Sequence, residues 1–262
     1  MPLAPLLVIL AIVGLLVGSF LNVVIVRVPS GESIVSPPSK CPRCEAAIAP
    51  RDNIPVISWL LLKGRCRSCQ EPIPVGYPLV ELTNAVLWVA AGLRFGTAAE
   101  LYPYCALFSV LVVLSVIDLE LYILPNKITY PSILVSLVAI PVLAVVSTEE
   151  PASAVMGAVI GGVGYAGFLF AVLIAYELIV HKEGMGLGDV KLAVLLGLWV
   201  GYLNPFLVLF ALIAASIFGL VVGLGIFLVR RESRPYPFGP WLAIGAIVVI
   251  LASQPILDAY GL

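Results

Sequence analysis

Long apolar runs recur through this chain, at 3–26, 79–96, 101–117, 129–147, 152–180, 190–203, 205–229 and 240–258. No other feature limits the fold as tightly. A helix crosses the hydrocarbon core of a bilayer with about 20 apolar residues, and only helices or closed barrels satisfy their own backbone hydrogen bonds there. The chain is 61% hydrophobic and 11% charged, far from the mixture of a soluble domain. The expected fold is an all-α polytopic membrane protein with about eight transmembrane helices. Run 190–203 is short, and run 152–180 is long enough to tilt or to extend beyond the membrane.

Orientation follows from Lys and Arg, which accumulate on the cytoplasmic side. If the crossings alternate and 27–78 is cytoplasmic, then 118–128, 181–191 and 230–239 share that side. Every one of the 14 basic residues except Arg94 then falls there. Glu100, Glu149, Glu150 and Asp258 fall outside, as do both chain ends. Residues 1–26 lack the basic start and small-residue cleavage site of a signal peptide, so they read as a retained helix. The expected organisation is a first transmembrane helix over 1–27, a cytoplasmic insert over 28–78, and a membrane domain over 79–262. With a net charge of −1, one His and no basic tail, the expected surroundings are membrane lipids, and nucleic acid is not an expected partner.

The insert carries Cys41-Pro42-Arg43-Cys44 and Cys66-Arg67-Ser68-Cys69. Two such pairs supply four thiolates to one tetrahedral ion, although the separation is slightly longer than in common zinc ribbons. Arg43, Arg65 and Arg67 are expected to favour the thiolate form. The alternative, two disulfides, conflicts with a reducing cytoplasm. A segment this poor in apolar residues needs a staple, so structural zinc on Cys41, Cys44, Cys66 and Cys69 is the expected cofactor. Four protein ligands leave such an ion no open position for catalysis. Trp59 either packs on this knob or sits at the headgroup level. Cys105, alone in an apolar run, reads as a small hydrophobe.

Two acids stand where acids are costly. Asp118 ends one apolar run, and Asp189 opens another within Gly184-Met185-Gly186-Leu187-Gly188-Asp189-Val190-Lys191. An ionisable group at the edge of the bilayer core marks a functional site by default. The ordinary alternatives are a helix end at the headgroups for Asp118 and a dipole-favoured first turn for Asp189. Glycines 184, 186 and 188 keep side chains off the backbone, and Gly186 and Gly188 would let a peptide lie extended beside Asp189. Glu120, two residues after Asp118, points elsewhere on a helix. Glu81 reads as a structural acid near the cytoplasmic end of its run, and His181 as a solvated loop residue. Gly18, Ser19 and Asn22 on one helix, and Gly157, Gly161, Gly162, Gly164 and Gly167 on another, suit close helix packing. No internal repeat is evident.

The ordered set Gly18-Ser-Phe-Leu-Asn22, the two Cys pairs, Asn53-Ile-Pro55 with Ser58-Trp59, Tyr77-Pro78-Leu-Val-Glu81, Asp118 with Glu120, the Gly-rich stretch through Asp189 and Lys191, and Phe238-Gly-Pro240 resembles the type IV prepilin peptidase family. The resemblance covers nearly the whole chain. It implies an inner-membrane aspartyl protease that cuts the basic leader from type IV pilin and type II secretion pseudopilin precursors, after a glycine, on the cytoplasmic side. It also implies N-methylation of the new amino terminus with S-adenosylmethionine. Asp118 and Asp189 match the family's catalytic pair, and the four cysteines its tetrad. No Gly-rich dinucleotide-type loop for S-adenosylmethionine is visible, so methylation rests on the resemblance alone. Three rivals remain: a Gly-x-Gly-Asp protease cutting inside a helix, a proton-coupled transporter with its acids near the midplane, and a non-catalytic membrane scaffold.

Overall fold

A computed structural model of the chain describes residues 2–181, 186–230 and 237–261, without the side chains of Phe227, Val229 and Arg230. Gly184 and Met185 of the Gly-rich stretch, Lys182, Glu183, and residues 231–236 with Arg231 and Arg234, lie outside the described residues. Among those described, the regular structure is helical. It comprises α1 (Leu3–Ser30), α2 (Ile57–Leu61), α3 (Gly76–Phe95), α4 (Leu101–Leu121), α5 (Asn126–Ser147), α6 (Pro151–Val180), α7 (Leu187–Leu203), α8 (Leu207–Arg230), α9 (Gly239–Leu251) and α10 (Ser253–Tyr260).

Each expected apolar run lies on a helix. Among the described residues, five helices are long and apolar enough to cross a membrane: α1, α4, α5, α6, and α8 over Leu207–Ile226. The last run is broken, because α9 and α10 meet at a 66° bend, and together they would make a sixth crossing. The two expected spans that fall short are α3, diluted by Glu81, Asn84 and Arg94, and α7, with 17 residues.

Chain contacts separate two units, Met1–Val113 and Leu114–Leu262. In the first, α1 and α3 pack with small residues at the contact. A methyl carbon placed on Gly14 would lie 2.8 Å from the Ala85 Cα, and one on Gly18 would lie 2.7 Å from the Glu81 Cα. Any larger residue would force the helices apart. The buried Asn84 amide donates to the Gly14 carbonyl at 2.7 Å, and its Oδ1 accepts from the Ser109 hydroxyl at 2.8 Å. The Trp88 indole donates to the same hydroxyl at 3.0 Å. In hydrocarbon such a chain fixes register, since each polar group would otherwise be unpaired. Cys105 is buried and unpaired with another sulfur, as a small hydrophobe would be.

The insert repeats a short hairpin that the sequence reading missed. Lys40 bridges Ala47, and Arg65 bridges Pro72. In each hairpin the residue after the second Cys turns left-handed: Glu45 at φ 58° and Gln70 at φ 60°. Its N–H returns to the first Cys carbonyl, Glu45 to Cys41 at 2.9 Å and Gln70 to Cys66 at 3.0 Å. Trp59 packs its ring on the Gly64 turn and donates its indole N–H to the Ile73 carbonyl at 3.1 Å, so it belongs to the knob.

In the second unit, α6 and α7 touch backbone to backbone. Methyl carbons on Gly157 and Gly161 would lie 2.7 Å from the Gly201 carbonyl oxygen and Cα respectively, and Gly197 faces Gly161 and Gly162 just as closely. Gly164 and Gly167, expected to join this contact, face open space. Helix α5 joins α7 through the Trp199 indole, which donates to the Ser136 hydroxyl at 2.8 Å. Helix α9 lies on α8, where a methyl on Gly245 would sit 2.7 Å from the Ala211 carbonyl.

Candidate active site and metal centre

Asp118 and Asp189 both lie in the second unit, and both are buried. Asp118 sits in the last turn of α4, where Glu120 is exposed, as helical spacing requires. Asp189 sits in the first turn of α7, its N–H bonded to the Gly186 carbonyl at 3.1 Å. The two carboxylates are within electrostatic range of each other.

Asp118 gains a partner that sequence reasoning had left general. The N–H of Gly239, the first residue of α9, donates to its Oδ2 at 3.1 Å. Pro240 follows, and proline suits a first helical turn because its missing N–H is not needed there. Each acid therefore meets the positive end of a helix, Asp189 that of α7 and Asp118 that of α9. A glycine between two bulky neighbours, Phe238 and Pro240, was the available signal. A methyl on Gly239 would lie 2.7 Å from the Asp118 Oδ2, so no larger residue fits.

One apolar side chain stands beside the two glycines that flank the acids. Leu124 approaches the point where a methyl on Gly188 would be, at 3.3 Å from its Cβ and 3.4 Å from its Cδ1. Its Cδ1 is also 3.5 Å from the corresponding point on Gly239. Gly188 thus faces Leu124, while Gly186, which is exposed, has only the Gly188 nitrogen nearby among the described residues. The loop bearing Leu124 is held at both ends. Tyr122, left-handed at φ 59°, donates its N–H to the Asp118 carbonyl at 2.9 Å. Asn126 accepts from the Lys191 ammonium at 3.0 Å, and that ammonium also lies 5.2 Å from the centre of the Tyr130 ring.

Glu81 is not with this pair in sequence or unit. It is buried in α3, and its Oε2 accepts the Val56 N–H at 2.7 Å, with the Ser19 hydroxyl as a further partner. Val56, at φ 60° and ψ −48°, centres a γ-turn closed by the Ile57 N–H on the Pro55 carbonyl at 2.6 Å. That hand of γ-turn is rare and strained. Glu81 therefore ties the insert to α3 through backbone and hydroxyl partners, a structural role. His181 is exposed and closes α6 with a left-handed residue, as a loop histidine does.

The four cysteines converge. All their sulfurs lie within 4.8 Å of one another, with Cys41–Cys69 at 3.8 Å and Cys44–Cys66 at 4.0 Å. A tetrahedral ion bound to thiolates at about 2.3 Å has sulfur–sulfur edges of about 3.8 Å, so the donor set fits a metal. For Cys41 the thiolate is favoured by the backbone. The N–H groups of Cys44 and Arg43 pull the Cys41 thiol down to about 6. The Glu71 N–H favours the Cys69 thiolate too, but desolvation and the sulfurs of Cys44, Cys66 and Cys41 outweigh it and push that thiol up to about 12. Two of the three guanidinium groups expected to help are engaged elsewhere: Arg43 pairs with Glu71 at 3.3 Å, and Arg67 grips Asp52 through both oxygens.

Comparison with known proteins decides the family. The model of the bacterial peptidase A24 N-terminal domain matches residues 12–95, and that of the type IV leader peptidase family matches residues 105–224. A prepilin leader peptidase/N-methyltransferase of Aeromonas hydrophila is 37% identical over 94% of this chain and 91% of its own length. The chain belongs to the type IV leader peptidase family. A protein of the same name from Bacillus subtilis is 34% identical over 96% of both chains. Another from Myxococcus xanthus is 41% identical over 86% of this chain and 64% of its own length. No solved structure matches. Within the family's peptidase region fall Asp118, Leu124 and Asp189, while the cysteine hairpins fall in its N-terminal region.

Proposed function

We propose that this chain is a prepilin leader peptidase that cuts the basic leader from type IV pilin and type II secretion pseudopilin precursors after a glycine, with Asp118 and Asp189 as its catalytic pair. The observation that carries the reading is the pairing itself: two buried acids from separate helices, each at a helix N-terminus, with Leu124 against the glycine next to one and the glycine bonded to the other. In the proposed pair the two carboxyls share one proton, because two acids in one apolar site do not both ionise. The ionised member takes a proton from water, which attacks the scissile carbonyl, and the protonated member donates to the carbonyl oxygen. The Gly239 N–H orients the Asp118 carboxylate throughout. Exposed Gly186 offers backbone along which an extended peptide can lie; Gly188 keeps its place as a packing glycine beside that path.

Both acids sit at helix ends, which favours proteolysis at the membrane surface over a midplane proton relay. The orientation follows from the basic residues, with the acids and the insert cytoplasmic in an inner membrane. About eight crossings remain the reading, α3 and α7 spanning as short or shielded helices within the bundle. Zinc on Cys41, Cys44, Cys66 and Cys69 would staple the insert and supply no chemistry to cleavage. The relatives' name adds an N-methyltransferase activity using S-adenosylmethionine. No residue of this chain is assigned to that donor: the described residues contain no Gly-rich strand–helix turn of the kind that seats it in other folds, and no step is derived through it.

The test is to incubate the purified, membrane-reconstituted protein with a prepilin and record the product mass. Loss of the leader mass is expected, with a further gain of one methyl if the donor is supplied. An unchanged substrate mass rejects the peptidase reading.

A further inference from the structure

We infer that Leu124 is the specificity-determining wall that restricts the residue before the cut to glycine. The inference rests on the proposed cleavage after a glycine, and it assigns that preference to a residue outside both acid motifs. A scissile carbonyl has to reach both carboxylates. The side chain standing in that region is Leu124, whose Cδ1 lies within 3.5 Å of the methyl positions of both Gly188 and Gly239. Gly188 adjoins Asp189, and Gly239 holds Asp118. Leu124 therefore borders both glycines that flank the pair, and a methyl group added on either would meet it at contact distance.

This wall does not retreat easily. Its loop is closed on one side by the Tyr122 N–H on the Asp118 carbonyl and on the other by the Lys191–Asn126 bond. Pro125 then starts α5 with a fixed backbone angle. A substrate residue with no side chain passes such a wall, and a methyl branch meets carbon at contact distance. The residue after the cut leads into the substrate's apolar helix and has lipid to turn towards, so bulk is tolerated on that side. Leu124 is half-buried, which leaves part of its surface free to touch a peptide.

The experiment compares kcat/KM for a prepilin and its Gly→Ala variant at the position before the cut, using the full-length enzyme, Leu124→Ala and Leu124→Val. Elution as a monodisperse species and retained metal establish folding. The expected result is a fall of about tenfold or more in the Gly-over-Ala preference for Leu124→Ala, the discrimination that one methyl group commands in a tight pocket. A smaller fall is expected for Leu124→Val, which carries the test if the alanine variant does not fold. The preference at the residue after the cut is expected to stay fixed. An unchanged Gly-over-Ala ratio, an equal loss on both substrates, or a relaxed preference after the cut overturns the inference. If the wild-type enzyme leaves the glycine substrate whole, the peptidase reading fails, and this inference with it; if it cuts that substrate while the ratio holds, only Leu124 loses its role.

Discussion

At the scale of single residues, the proposed chemistry depends on carboxylate oxygens. Asp118→Asn and Asp189→Asn keep shape and remove the shared proton, so each is expected to abolish cleavage while the protein stays folded and inserted; a protease assay beside a thermal melt checks both halves. The one-proton state is lost at either extreme, so cleavage is expected to follow a bell-shaped pH profile. A rate flat across the acid and alkaline range would remove the paired role. Gly239→Ala is expected to be nearly as severe as losing an acid, because its methyl would meet the Asp118 Oδ2 at 2.7 Å. Its signature is a lowered kcat with retained substrate binding. These acids were legible in sequence because charge at the edge of an apolar run is rare. Leu124 was not, since a leucine in an apolar chain carries no signal until its neighbours are known. The Cys tetrad was legible from spacing, but what favours the Cys41 thiolate was not: backbone N–H direction is set by the hairpin, and Arg43 and Arg67 are spent on Glu71 and Asp52.

At the scale of elements, small residues decide which helices touch. Gly157, Gly161 and Gly162 meet Gly197 and Gly201 across α6 and α7. Gly161→Val or Gly201→Val is expected to force the backbones apart, with a cost of about 1–3 kcal/mol from overpacking. Unfolding in mild detergent is the check, and Gly164→Val, which faces open space, serves as the comparison that should stay near wild type. Periodicity read each helix from its apolar run, but it did not distinguish Gly161 from Gly164, because facing depends on which neighbour arrives. The 66° break between α9 and α10 was missed for a similar reason. Its sequence, Leu251-Ala252-Ser253-Gln254-Pro255, places a proline just beyond the bend, and an apolar average hides it.

At the scale of the whole molecule, the insert carries the donor set for a metal staple and the rest is built of long apolar helices. Chelation of the bound ion is expected to loosen residues 38–75 to proteolysis, while the helical circular dichroism signal is mostly kept, because the insert contributes only α2 and a short 3-10 turn. Coincident loss of the entire helical signal would show instead that the staple supports the bundle. The bundle was legible as helices because hydrocarbon permits little else; the number of crossings was less so, since buried polar groups on α3 and the shortness of α7 blur the line between a span and a shielded helix. The glycine contact between α6 and α7 has a mechanical consequence. Asp189 rides on a stem with no side-chain cushion between α6 and α7. In the proposed dyad that acid is therefore the fixed datum, and a substrate has to fit the α6–α7 stem because the stem has no slack with which to fit the substrate.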